Sequence, residues 1–227
     1  MKIGWDSASE RIGIVTGLAA EARIARRLGW PVAIGGGSAA GARRATQELI
    51  ESGATALVSF GLAGGLDPAL PAGTLLVPAA IRTDRQDWHV SAELAAKLGA
   101  MTPHALLGAG TIARTQADKR RLWEATGCAA LDLESGAVAE AATRQRLPFA
   151  ALRAICDPAS TTLPPAALIA LSGRGAISLG RVFGSIAAQP SQFGDLLQLG
   201  RFAAQARRSL IGRVAGIQEE RTRRPAI

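Results

Sequence analysis

Short apolar runs alternate with helix-forming segments along the first 157 residues, and that alternation is what most constrains the fold. IGIVTG (12–17) reads as a buried strand ending in Gly, and LAAEARIARRL (18–28) as a helix that starts at once. PVAIGGG (31–37) and the helix 38–53 repeat the unit, followed by strands at 54–61 and 74–81. Helices at 91–99, 117–127 and 135–147 then alternate with strands at 104–110, 128–134 and 148–157. These apolar runs read as buried strands. The order β-α-β-α-β-β-α-β-α-β-α-β predicts an α/β fold. Its architecture is a three-layer α/β/α sandwich with a central mixed, largely parallel sheet. In such sheets ligands bind outside the carboxyl ends of the strands.

Beyond residue 157 the pattern changes. A loop with adjacent prolines leads into 175–217, which reads as helical with a break near QPSQFG (189–194). No repeat or second domain is apparent, so the chain is read as one domain over 1–227 with 175–227 as basic C-terminal helices. Of the net charge of +8, +6 comes from 174–227, where nine Arg face three acids. A basic segment of this kind points to a polyanionic partner or to a solvated helix face. The chain shows no apolar run long enough to span a bilayer, and MKIGWDSASERIG carries charges where an export signal needs apolar residues. A cytoplasmic protein is expected. Cys128 and Cys156 lie in apolar runs and read as reduced core thiols. With only two His and no Cys cluster, no metal site is expected.

Two glycine clusters invite a ligand. GGGSAAGA (35–42) follows the second strand, with G-x-G-x-x-x-G spacing and no acid about 20 residues on, so it does not meet the dinucleotide pattern. GLAGG (61–65) reads as a glycine turn whose backbone N–H groups, Gly64 and Gly65 among them, can face a ligand. Neither a nucleophile elbow nor a phosphate-binding P-loop motif occurs. The carboxylates are more distinctive. Asp132 and Glu134 in LDLESGAV, and Asp157 at the end of RAICD, stand where an acid-poor chain should be burying apolar surface.

Taken in order, GIVTGLAAEA, SFGLAGGLDPALPAGTLLVP, LDLESGAVAEAA and RAICDPA resemble the nucleoside phosphorylase and methylthioadenosine/S-adenosylhomocysteine nucleosidase superfamily over roughly residues 11–160. Within it, VTGLAAEARIA, SFGLAGGLDPAL, RAICDPA followed by LPPAAL, and the Arg-rich tail are most similar to the hopanoid-associated phosphorylases. The resemblance implies cleavage of the purine N-glycosidic bond of adenosylhopane, with release of adenine. A nucleosidase or phosphorylase for small purine nucleosides such as methylthioadenosine is the alternative. A non-catalytic nucleic-acid-binding protein is the alternative of another class. Against it stand the absence of Tyr, only five Phe for stacking, and no recognised nucleic-acid module.

Such chemistry needs a proton for the departing purine, a hold on the ribosyl ring as it gains positive charge, and a nucleophile on the opposite face. Asp157 is the candidate general acid, since burial at a strand end raises its pKa, and the resemblance gives it the same role. Glu134 is the candidate ligand of the ribose hydroxyls, with Leu133 as an apolar ribose contact where the family often has Met. Asp132 reads as a support of the strand–helix junction. Glu21 is the candidate base if the nucleophile is water. No cofactor is expected, but phosphate is a candidate co-substrate. The phosphorylases that this fold resembles carry Arg in the first loop and Arg plus Ser near the glycine turn; here Glu21, Ser59 and Leu62 stand in those regions. The motifs favour water and the branch name favours phosphate, so the nucleophile stays open. The tail, GDLLQLGRFAAQARRSLIGRVAGI, is either a basic amphipathic surface for anionic membrane or a helix docked on the core. On the first reading, truncating 195–227 cuts vesicle binding and leaves the core folded. A homo-oligomer is also expected.

Overall fold

The computed structural model describes residues 10–165, 167 and 192–223. The fold is α/β, with a mixed, mostly parallel sheet flanked by helices. The strands are β1 (Ile12–Thr16), β2 (Val32–Ile34), β3 (Ala56–Gly65), β4 (Leu75–Leu76), β5 (Pro78–Arg82), β6 (Asp87–His89), β7 (Thr102–Gly108), β8 (Ala130–Asp132) and β9 (Phe149–Asp157). The helices are α1 (Ala19–Ala25), α2 (Ala39–Glu51), α3 (Ala92–Leu98), α4 (Gln116–Thr126), α5 (Ser135–Arg144) and α6 (Gln192–Arg223). A 3-10 turn at Arg26–Leu28 extends α1.

The strand order is β2-β1-β3-β8-β7-β5-β6, and β9 runs parallel to β3 while also pairing with β4. β1, β3 and β9 are the apolar centre: Ile14, Val15, Leu57, Val58, Phe60, Leu152 and Ile155 are all fully buried. This matches the expectation from unbroken apolar runs. The short hairpin strand β6 is not visible in the sequence pattern, because DWH is too short and too polar to show a period.

The second glycine cluster is strand, not turn. Gly61–Gly65 continue β3, with Gly64 and Gly65 paired to Leu131 and Ala130 of β8 and Gly64 in register with Asp157 of β9. Neighbours on both edges override the poor strand propensity of glycine. The first cluster serves packing. A Cβ on Gly41 would lie 1.6 Å from the Gly35 carbonyl oxygen, so the start of α2 touches the end of β2 directly.

Helix α6 spans about 48 Å at 1.5 Å per residue. Ala206, Leu210, Val214 and Ile217 recur on one side of it and are buried, and the helix packs chiefly on β9, with α1 and the 3-10 turn beside it. Several tail cations finish other elements. Arg213 Nε donates to the Leu98 carbonyl (2.6 Å) at the end of α3, and Arg221 donates to the Leu28 carbonyl (2.7 Å) and lies over the Trp30 ring. These groups satisfy carbonyls left open at helix C-termini. Truncation at 195 would therefore uncover β9, so the expectation of a folded truncated core does not fit this packing. Residues 175–191 of the predicted tail lie outside the described residues; from Gln192 the helix runs without a break.

Candidate active site

Glu21 and Glu134, with Asp132, gather near the carboxyl ends of β1 and β8 around one side chain to which the sequence motifs assign no role: Arg153. It sits mid-β9 and its side chain is 1% exposed. Its Nε lies 2.6 Å from Asp132 Oδ2, its Nη2 donates to Ser59 Oγ (2.6 Å) and Ser135 Oγ (3.1 Å), and Glu134 Oε2 is 3.6 Å away. A guanidinium in an apolar strand is tolerated only when paired and bonded in this way. Gly61 makes room for it: a Cβ there would lie 2.6 Å from both Arg153 Nη1 and Glu21 Oε1.

Glu21 stands in the first turn of α1 but folds back instead of reaching solvent. Its Oε2 accepts from the backbone N–H groups of Gly17 (3.0 Å) and Leu18 (2.8 Å), and its Oε1 from that of Leu62 (2.9 Å). Burial raises its pKa, against the lowering effect of Arg153 and of those three donors. The Leu62 N–H that the glycine run offers is thus taken by the protein's own carboxylate.

Glu134 is the residue before α5, not the last of β8. Its Oε1 accepts from the Gly37 N–H (3.1 Å). Burial pushes its pKa up to about 7; Arg153 opposes this, and Asp132 and Glu21 add to it. The close fit explains Gly17, where a Cβ would lie 2.6 Å from Glu134 Oε1. Asp132 does the work expected of it at the junction. Its Oδ1 accepts from the N–H groups of Glu134 (3.1 Å) and Ser135 (2.9 Å), which tethers the first turn of α5, and Oδ2 accepts from Ser135 Oγ. Leu133 between the two acids is half-buried.

Asp157 ends β9 on the same strand as Arg153. Its Oδ2 is 2.8 Å from Lys119 Nζ of α4, while its Oδ1 is buried with no hydrogen-bond partner. Burial raises its pKa and Lys119 partly offsets this. Gly64 lies alongside, where a Cβ would be 3.8 Å from Asp157 Oδ2. Gly65 instead packs on Ile155 and Pro158, where a Cβ would lie 3.1 and 3.3 Å from their atoms. The structure thus brings Glu21 and Glu134 together at Arg153, and sets Asp157 and Gly64 further along the same strands. Thr16 Oγ1, at the end of β1, is another buried polar atom without a hydrogen-bond partner.

The neighbouring thiol of Cys156 has its pKa pushed up to about 12 by burial, so it is no nucleophile at neutral pH. Both cysteines are free. Among the described residues, no group of His, Cys, Asp and Glu could hold a metal ion. A cavity lined by Thr111, Arg114, Asp118 and Leu122 opens at the start of α4, the helix that carries Lys119. Trp88 is a buried core residue on β6.

No family model matches the chain, and no curated protein matches it. Solved structures do. A 5'-methylthioadenosine/S-adenosyl homocysteine nucleosidase from Helicobacter pylori is 14% identical, with a TM-score of 0.68 over 94% of this chain and 100% of that one. The futalosine hydrolase of Helicobacter pylori strain 26695 is 14% identical, with a TM-score of 0.68 over 93% and 98%. An S-adenosylhomocysteine nucleosidase from Streptococcus pyogenes, in complex with 5-methylthiotubericidin, is 13% identical, with a TM-score of 0.68 over 95% and 99%. The chain shares their fold along nearly its whole length.

Proposed function

We propose that the protein is an enzyme that cleaves the N-glycosidic bond of a purine nucleoside, with water as nucleophile and adenosylhopane as substrate. The observation that carries the reading is the split of the carboxylates. Glu21 and Glu134 share one buried guanidinium, while Asp157 stands apart on the same strand with a free, buried Oδ1. The fold shared with nucleosidases supports it.

In this reading Asp157 donates a proton to the purine, the C1′–N9 bond breaks, and its electron pair leaves with the base. Glu134 accepts hydrogen bonds from the ribose hydroxyls and stabilises positive charge on the ring. Glu21 takes a proton from water as its oxygen joins C1′. Arg153, through Asp132, Ser59 and Ser135, holds the nucleophile side in place. The choice of water over phosphate follows from charge. The guanidinium already faces Asp132, Glu134 and Glu21. A phosphate there would meet carboxylates, and each pair of unit charges roughly 4 Å apart costs about 4 kcal/mol at an effective dielectric of about 20.

The lipid substrate rests on the sequence resemblance. Exposed Arg201, Arg207 and Arg208 on α6 offer a basic face for contact with an anionic membrane, the apolar side of that stretch being docked on the sheet. The test is adenine release from adenosylhopane in micelles and from methylthioadenosine in solution, with and without phosphate. Release from the lipid at higher kcat/KM, unchanged by phosphate and leaving a free ribose end, is expected. A phosphate requirement with a sugar phosphate product would overturn the choice of water. Preference for methylthioadenosine would overturn the lipid assignment.

A further inference from the structure

Lys119 is one of the few lysines in an arginine-rich chain, and it is fully buried. It lies in the first turns of α4, in the run ADKRRL, whose other cations, Arg120 and Arg121, are exposed. Its Nζ reaches Asp157 Oδ2 (2.8 Å) and donates to the carbonyls of Pro158 (2.8 Å) and Thr161 (2.8 Å), with the Asp157 carbonyl at 3.3 Å. Three close acceptors use up the three N–H groups of an ammonium. The 157–161 segment is therefore fastened to α4 through one nitrogen. Of the two carboxyl oxygens of Asp157, one is held by that nitrogen and the other is buried and free.

Resting on the reading of Asp157 as the acid, we infer that Lys119 is a positioning residue for it: the ammonium fixes which oxygen carries the proton and stabilises the carboxylate that proton transfer leaves behind. A carbonyl oxygen accepts an ammonium N–H far better than a protonated oxygen does, so Lys119 holds Oδ2 as the acceptor and leaves the proton to Oδ1, the buried oxygen without a protein partner. When Oδ1–H passes its proton to the purine as the C1′–N9 bond breaks, negative charge appears on Asp157 beside a fixed positive charge. Preorganised charge of this kind lowers the barrier without reorganisation at the moment of reaction. Lys119 itself gives up no proton and touches no substrate.

The test is a cycle of Lys119→Met, Lys119→Gln, Asp157→Asn and the Lys119→Met/Asp157→Asn double variant, each first checked for a wild-type thermal melt and near-UV spectrum. Lys119→Met is expected to lower kcat for adenine release about 10- to 100-fold with little change in KM. Its basic limb should move to higher pH, because Asp157 without its ammonium keeps its proton longer. The double variant should be no slower than Asp157→Asn alone, since both act through one group. Cleavage of 4-nitrophenyl riboside, whose leaving group needs no proton, should be untouched by Lys119→Met. Equal losses on both substrates, an unmoved pH limb, or a further multiplicative loss in the double variant would each overturn the proposal. So would failure of both the Met and the Gln variants to fold, which would make Lys119 a structural residue. Full adenine release by Asp157→Asn would instead refute the reading of Asp157 on which the inference rests.

Discussion

Replacing Glu134 with Gln should make the protein more stable and inactive. Burial holds the Glu134 carboxyl at a pKa of about 7 against an ordinary 4.5, so the folded state binds its proton more tightly than the unfolded state does. A raised carboxyl pKa favours folding only below the unfolded value, and that advantage is lost as pH climbs toward the folded value. A tenfold difference in proton affinity between the two states is worth about 1.4 kcal/mol, so above pH 8 the ionised carboxylate costs the folded protein about 3 kcal/mol. Gln keeps an oxygen for the Gly37 N–H and removes the charge. The Gln variant should therefore gain about 3 kcal/mol at pH 8, and the gain should shrink to below about 1 kcal/mol at pH 5. Urea unfolding of both proteins from pH 5 to 8 measures this directly. For a chain of this size the gain at pH 8 would raise Tm by roughly 6–12 °C. Adenine release should fall at the same time, because the charge that destabilises the fold is the one proposed to steady the ribosyl cation. A variant no more stable than wild type at pH 8, or a gap that does not change with pH, would refute the reasoning.

Other perturbations follow from the same geometry. Arg153→Met leaves Asp132, Glu134 and Glu21 without their shared cation and should cost about 3–5 kcal/mol in urea unfolding at neutral pH. Gly61→Ala drives a methyl group against Arg153 and Glu21, so kcat should fall about 100-fold while the circular dichroism spectrum stays native. Leu210→Ala removes a fully buried contact of α6 with the core and should cost about 2–5 kcal/mol. A negligible loss at Leu210 would show that the helix is not docked as described.

How much of this was legible in the sequence depended on what each residue's neighbours in the chain reveal. The strands were readable because IGIVT and FAALRAIC are buried on both faces, and local composition alone then marks them. Glu134 and Asp157 were readable because an acid beside an apolar run is costly unless something uses it. Arg153 carried the same signal, a charge inside an apolar strand that must have buried partners. Lys119 carried none. In ADKRRL it looks like any solvated helix face, and only the docking of α4 against the 157–161 segment buries it. The glycine run at 61–65 misled for a related reason: a turn and a strand hemmed in by β8 and β9 ask for the same small residues.

The most direct test of the central claim is adenine release from adenosylhopane in micelles without phosphate, comparing wild type with Asp157→Asn and Glu21→Gln. Release by wild type, lost in both folded variants, is the predicted result. Release that survives removal of the Asp157 carboxyl, or a wild-type protein that liberates no adenine from the lipid or from methylthioadenosine, would contradict it.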